Sequence, residues 1–322
     1  MTSAATGRGL AAAVLASATF GLSGAVAKPL FDAGWSPAAA VAVRALLGGL
    51  VLLPVTLASL RGRWAALWHS RRRLLLMAFV GVAGCQLAYF ASVQRIAVGT
   101  AILVEYLAPL ALVAWAWARS RRMPQRVVLL GSIVAVAGLV LVIGPGLLGR
   151  LDVLGLVFAF LAMVGCAIYY LVAAEDDPEL PPLALAGTGL LLGGTALGIL
   201  GLTGILPFTV TLEPVPMLGS VLPVWLPVLV LGVASSALAY ATSIVATVLL
   251  GSRLASFVGL LEVVAATLYA WLLLGETLRV PQLVGGALIL AGIALVRAER
   301  TADPAPGPGA RSQPAEPARA PS

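Results

Sequence analysis

From the N-terminus onward the chain alternates long apolar runs with short polar connectors. Runs of about 20 residues, enough to cross about 30 Å of hydrocarbon as helix, lie at 9–31, 37–60, 74–93, 97–118, 127–144, 151–173, 183–206, 221–245, 253–274 and 280–297. Inside a bilayer each segment has to satisfy its own backbone donors and acceptors, so these runs predict helices. Pro54, Pro109, Pro223 and Pro227 fall within or beside them, where proline predicts local kinks and close packing. The pattern as a whole predicts an all-α polytopic membrane protein with ten transmembrane helices.

Composition supports the same reading. The chain is 61% hydrophobic and 10% charged, with a mean hydropathy of +1.04, against about 45–50% and about 25% in soluble domains. So little charge cannot coat a water-soluble globule, and the lipid bilayer is the expected surround. A net charge of +7 would also suit nucleic acid, but the arginines cluster between apolar runs, which is the pattern of cytoplasmic loops, and no nucleic-acid partner is expected. With the N-terminus inside, the inner side carries Arg8, Arg61, Arg63, Arg71, Arg72, Arg73, Arg119, Arg121, Arg122, Arg126, Arg253, Arg297 and Arg300. The outer side carries Lys28, Arg95, Arg150 and Arg279, thirteen against four. An inner (plasma) membrane protein with both termini cytoplasmic follows. Arg8, the first run and Ala25-Val26-Ala27 also fit a cleavable signal peptide, the competing reading of the first span. The stretch 298–322 is rich in Pro, Ala and Gly and predicts a disordered tail.

The runs repeat. Leu87-Ala88-Tyr89-Phe90-Ala91-Ser92 echoes Leu238-Ala239-Tyr240-Ala241-Thr242-Ser243, Glu105 matches Glu262, Pro124-Gln125 matches Pro281-Gln282, and Ala137-Gly138-Leu139 matches Ala291-Gly292-Ile293. The order is the same in both halves. Five helices per half is an odd number, so the second copy enters the membrane from the opposite side. The loop after the fourth helix is rich in arginine, whereas its counterpart carries Glu276 and Arg279. That swap is what inverted topology predicts. The expected organisation is a cytoplasmic N-terminus over 1–8, five-helix repeats over 9–144 and 151–297 joined by an outer linker at 145–150, and the tail. Two inverted five-helix repeats are the architecture of alternating-access carriers, with substrate held near the midplane.

Further segments resemble a known family. These are Phe20-Gly21-Leu22-Ser23 followed by Lys28, Ser36-Pro37 with Arg44, and Leu274-Gly275-Glu276-Thr277-Leu278 followed by Pro281-Gln282 and Gly285-Gly286. To about residue 297 the chain resembles the EamA-type family of the drug/metabolite transporter superfamily. Val104-Glu105-Tyr106-Leu107-Ala108-Pro109-Leu110 is similar to the Glu-x-x-Gly-Pro segment of its threonine/homoserine exporter branch, with departures at Ala108, Val263 and Arg119. The resemblance implies a ten-helix carrier that exports small metabolites and does not fix which one; an amino acid or related zwitterion is the leading expectation. A broader drug or organic-anion carrier of the same fold is the alternative.

Ionisable groups deep in a bilayer cost about 2.5–3.5 kcal/mol on insertion scales and are functional candidates. Arg44, Glu105 and Glu262 qualify. Either carboxyl group can exchange a proton between alternating states, so protons are expected as coupling partners through Glu105 and Glu262. Pro109 denies the Glu105 carbonyl its helical donor. A guanidinium at Arg44 suits bidentate capture of a carboxylate, or else an ion pair with Glu105 or Glu262. Tyr89, Tyr240 and Gln86 are candidate wall residues for the substrate. Lys28 reads as a rim anchor, Glu276 as a brace of the outer junction, and Trp115, Trp117 and Trp271 as interfacial aromatics. Cys85 and Cys166 read as small buried hydrophobes.

The remaining classes lack material. No phosphate-binding Gly-rich loop with its lysine is present, so transport is expected to be secondary rather than ATP-driven. The only histidine is His69, in a basic loop, and neither a metal site nor a cofactor is expected. An integral-membrane lipid-modifying enzyme would need clustered carboxylates or histidines at one face, and the acidic loop Glu175 to Glu179 has no such partner.

Overall fold

The computed structural model describes residues 3–299 apart from 122, 124, 144–151, 175–179, 218 and 278. The linker 145–150, the acidic loop Glu175 to Glu179, Pro124, Leu278 and the tail from Thr301 therefore lie outside the described residues. The described residues are mostly helical. Helix α1 spans Ser3–Asp32, α2 Pro37–Ser59, and a single-turn α3 Trp64–His69. Helix α4 runs Arg71–Val93 and α5 Val98–Ser120. Then follow α6 (Arg126–Ile143), α7 (Val153–Ala174) and α8 (Pro182–Leu202). Helix α9 is continuous through Trp225–Leu229, Val230–Leu238 and Ala239–Gly259, and α10 (Leu261–Leu274) and α11 (Val280–Glu299) close the chain.

Among the described residues, seven helices are long and apolar enough to cross a membrane by length and composition. Helices α6, α10 and α11 supply three shorter apolar segments, Arg126–Val142, Leu261–Leu274 and Val280–Val296. The expected run 253–274 is the one most altered. Helical bonding in α9 continues through Gly251 and Ser252 to Gly259, so α10 begins only at Leu261 and its 14 residues reach about 21 Å.

The all-α expectation also needs one correction. Strands β1 (Val215–Met217) and β2 (Ser220–Leu222) form an antiparallel hairpin, pairing Val215 with Leu222 and Met217 with Ser220. Pro214 and Pro216 prevent helix here, and Gly219 turns the chain at a φ of 71°.

Local chemistry sets the helix ends. Ser36 accepts the Ala39 N–H on its Oγ at 3.3 Å, and Pro37 takes the first turn of α2, where a missing N–H leaves nothing unpaired. Helix α10 ends on Gly275 in the left-handed region (φ 66°), while the Glu276 N–H reaches back to the Ala270 carbonyl at 3.1 Å. That pattern is a glycine-terminated Schellman cap.

Packing between the halves is reciprocal. Helix α2 lies along α8, α1 along α9 and α10, α7 along α4 and α5, and α6 along α11. The α6–α11 crossing is antiparallel and glycine-mediated. A Cβ on Gly138 would sit 2.5 Å from the Gly285 carbonyl oxygen, and one on Gly285 would sit 2.5 Å from that of Gly138. Gly131 and Gly292 oppose each other in the same way. Backbones this close gain packing that larger side chains would block.

Candidate functional site

The third helix of each half contains a π-helical segment, Met77–Gly84 in α4 and Val230–Leu238 in α9. Such segments shift backbone groups out of the regular ladder and are frequent at functional sites. Arg44, buried on α2, uses the second one. Its Nε donates to Ser236 Oγ at 3.1 Å and its NH2 group to the Ser235 carbonyl at 2.9 Å, while NH1 donates to Gln86 Oε1 at 3.1 Å. The guanidinium also lies 5.1 Å from the centre of the Phe90 ring. Neutral groups thus meet the Arg44 charge, and they occupy the Nε/NH2 edge that would grip a carboxylate side-on. The crevice beside Arg44, lined by Leu30, Trp35, Ala40, Val43, Val228 and Leu231, is apolar and too tight to admit a water molecule.

Glu105 is the last residue of the first helical piece of α5, Val98–Glu105, and helix resumes at Ala108. Pro109 explains the break: it has no N–H for the Glu105 carbonyl, and the Leu110 N–H turns to Leu107 instead. The buried Glu105 carboxylate accepts a bond from Cys85 Sγ at 3.5 Å. Glu262 lies in the first turn of α10, at the joint with α9. It accepts from the Tyr106 hydroxyl at 2.6 Å. The two carboxylates are therefore tied to consecutive elements of one helix break.

The six residues singled out from the sequence share one neighbourhood. Arg44 lies within coulombic range of Glu105, Glu262, Tyr89 and Tyr240, and it holds Gln86 directly. Tyr89 is itself in range of both carboxylates. Among the described residues its buried hydroxyl has no hydrogen-bond partner, and it lies against Gly24, where an added Cβ would sit 2.6 Å from it. Tyr240 packs edge-on against Phe20 at 5.1 Å.

This arrangement can be set beside known proteins. The profile of the EamA-like transporter family matches residues 7–144 and again 153–298, once in each half. The chain belongs to the EamA-like transporter family. It is 28% identical over 206 residues to an uncharacterized transporter of Archaeoglobus fulgidus, covering 64% of this chain and 69% of that protein. A protein of known crystal structure superposes with a TM-score of 0.58 at 21% identity, covering 94% of this chain and all of the other. At that identity the likeness concerns the fold alone. The chain is a multi-pass membrane protein of a transporter family.

In this EamA-like chain the segment from Gly275 to Thr277 has a definable task. The cap at Gly275 turns Glu276 inward, where Oε1 meets Lys28 Nζ at 2.5 Å and Oε2 accepts the Val98 N–H at 3.0 Å. Three elements meet there: α1, the start of α5 and the α10–α11 connection. The α1–α2 turn is sealed as well, by Ser36 N–H to the Thr209 carbonyl, Thr209 N–H to Ser36 Oγ, and Trp35 Nε1 to the Thr211 carbonyl. Lys28 and Glu276 thus brace a junction; Lys28, expected as a rim anchor, is tied to Glu276 by an ion pair. Trp115, Trp117 and Trp271 are exposed.

Sequence reasoning missed Tyr106, Ser235, Ser236 and Cys85 as parts of this network. Cys85 packs with Cys166 in one buried cluster, and its one thiol proton has two acceptors in reach, the Ala162 carbonyl at 3.4 Å and Glu105 Oε1 at 3.5 Å. Its spacing from Tyr89, four residues on one helix, was the available signal. Tyr106 stands beside a candidate carboxylate in a proline-broken helix, which was the signal for it.

Proposed function

We propose that this protein is a secondary carrier that exports a small metabolite, an amino acid or related zwitterion, across the inner membrane by alternating access. The reading takes the chain as ten spans in two inverted five-helix repeats with both termini cytoplasmic. One observation carries it: two carboxylates at matching positions of the halves, Glu105 and Glu262, sit at helix breaks around one buried arginine. The reciprocal, antiparallel packing of α6 on α11 supports the inverted arrangement, because a two-fold relation makes each contact recur with partners exchanged. Broken helices at the centre are where such carriers bind.

Proton exchange at Glu105 and Glu262 supplies the driving force in this scheme, and Tyr89, Tyr240 and Gln86 form the wall around the substrate. A substrate carboxylate reaching Arg44 would displace Gln86 from NH1, since the other edge is engaged with α9. The apolar lining of the crevice beside Arg44 favours a second reading, a carrier of more hydrophobic drugs or organic anions.

The test is flux from reconstituted vesicles loaded with labelled threonine, homoserine and a mixture of the other amino acids under an imposed proton gradient. Gradient-driven efflux from wild type that Glu105→Gln abolishes across a pH series is the expected result. Identical efflux from both proteins at every pH removes the proton coupling. Efflux of a hydrophobic cation or anion panel in place of amino acids selects the second reading.

A further inference from the structure

The two helix breaks meet at one side chain. On the first-half side, the Tyr106 N–H still bonds the Ile102 carbonyl at 2.9 Å, Leu107 tightens onto Val104 at 3.1 Å, and helix restarts at Ala108. On the second-half side, α9 ends at Gly259, the Val263 N–H closes a three-residue turn onto Leu260 at 3.2 Å, and α10 begins at Leu261. The Tyr106 hydroxyl crosses from one break to the other. It lies 2.6 Å from Glu262 Oε2 and 3.4 Å from the Gly259 carbonyl oxygen. The matched position in the second half, one after Glu262, is Val263, which has no hydroxyl. The device is one-sided.

A phenol has one proton to give and two acceptors within reach here. With Glu262 ionised, the proton goes to the carboxylate, the shorter contact. With Glu262 protonated, the acid becomes a donor to the phenol oxygen, and the phenol proton turns to the Gly259 carbonyl, the last of α9. No proton is gained or lost by tyrosine in this exchange. The only change is which group at the joint receives its hydrogen bond.

We propose that Tyr106 is a positioning residue that relays the protonation state of Glu262 to the backbone joint between α9 and α10. It rests on the proton-coupled reading above and adds the route by which a proton on the carboxyl group alters the hinge beside it. Other groups face Glu262 as well. Arg44 on α2, Cys85 and Tyr89 on α4, Tyr169 on α7 and Tyr240 on α9 are in coulombic range. Helix α1, packed along α10, brings Gly21 to the Glu262 carbonyl, and its Lys28 is engaged with Glu276.

The test needs no substrate, so it stands or falls separately from the flux assay. Glu262→Gln imitates the protonated acid at a fixed pH, and Tyr106→Phe keeps the ring while removing the hydroxyl. Hydrogen–deuterium exchange is followed for the peptide covering 258–264 in wild type, both single variants and the double variant, all purified and matched for melting temperature. The expected result is a change of about tenfold in exchange on introducing Glu262→Gln into wild type, and less than about twofold on introducing it into Tyr106→Phe. An equal effect of Glu262→Gln in both backgrounds, or none in either, overturns the relay. Loss of all amino-acid flux with the coupled exchange intact would sink the transport reading and leave the relay standing.

Discussion

Arg44 illustrates how much a buried charge depends on its partners. Removing the guanidinium leaves Gln86 Oε1, the Ser235 carbonyl and Ser236 Oγ without their donor. Arg44→Ala is expected to destabilise the detergent-purified protein by about 2–4 kcal/mol. Arg44→Lys is expected to recover less than half of this, because an ammonium cannot fork to three acceptors set around a plane. Chemical denaturation of the three proteins, monitored by tryptophan fluorescence, measures the difference. Asp152 makes a smaller and pH-dependent contribution. Its Oδ1 accepts the Gly155 N–H at 2.9 Å and its Oδ2 meets Arg95 at 3.0 Å. The Gly155 amide first and Arg95 second hold its carboxyl below the usual aspartate range. The ionised form is thus favoured in the folded state, so its stabilisation is present above the ordinary aspartate pKa and fades as pH falls through the lowered value. Melting curves of wild type and Asp152→Ala are expected to differ at pH 7 and to converge on acidification. At this scale the sequence showed which charged groups lie inside apolar runs and was silent about whom they touch. An arginine and two glutamates inside apolar runs declare themselves by their cost. That Arg44 is met by neutral oxygens depends on a π-helical segment in α9, and nothing in Val230–Leu238 marks the extra residue per turn.

At the scale of elements, apolar length located the helices well, and the departures come where neighbouring contacts override it. Gly251-Ser252 has the composition of a connector, yet α9 stays helical through it, and the joint moves to Leu260. The missing donor for the Glu105 carbonyl was legible from Pro109, but the run 97–118 was expected as one helix, and that its first piece ends at Glu105 was not. Gly138 and Gly292 had appeared only as a repeat match, and Gly285 only within a family-like motif. Their purpose needs the crossing: Gly138 and Gly285 each present a carbonyl oxygen where the other would carry a Cβ. Gly138→Ala forces the two backbones apart and is expected to cost about 1–3 kcal/mol. Gly198→Ala is the control, since nothing lies within 4 Å of a Cβ there and the better helix former should be neutral or gain up to about 1 kcal/mol. Thermal melting of the two variants in the same detergent checks the contrast. Equal effects would mean that the crossing tolerates expansion and that close approach is incidental.

For the whole molecule, the closing contacts near Lys28 sit above the cluster of ionisable residues, with Tyr89 between them. The Tyr89 hydroxyl lies against Gly24, one helical turn from Lys28 on α1, and the Val98 side chain, whose residue's N–H is bonded to Glu276, lies against Gly24 too. In the proposed alternating-access scheme these elements have to part to admit solvent from that side, so the Lys28–Glu276 pair is expected to oppose opening. The bridge is only partly buried, with 27% and 17% of the two side chains exposed. Its loss is therefore expected to shift a population and leave the fold intact. Cys85 is a native reporter, because its thiol is buried beside Glu105. In a Cys166→Ala background, a membrane-impermeant thiol reagent added on the Lys28 side of sealed vesicles is expected to label Cys85 slowly. Lys28→Ala should raise that rate by about tenfold, corresponding to about 1.4 kcal/mol of population shift. The exchanged pair Lys28→Glu with Glu276→Lys should restore part of the protection, although the Val98 N–H then faces a lysine and loses its acceptor. If Lys28→Ala leaves the labelling rate unchanged, the α1–α2 turn and its bonds to Thr209 and Thr211 close that side alone, and the bridge is only a brace.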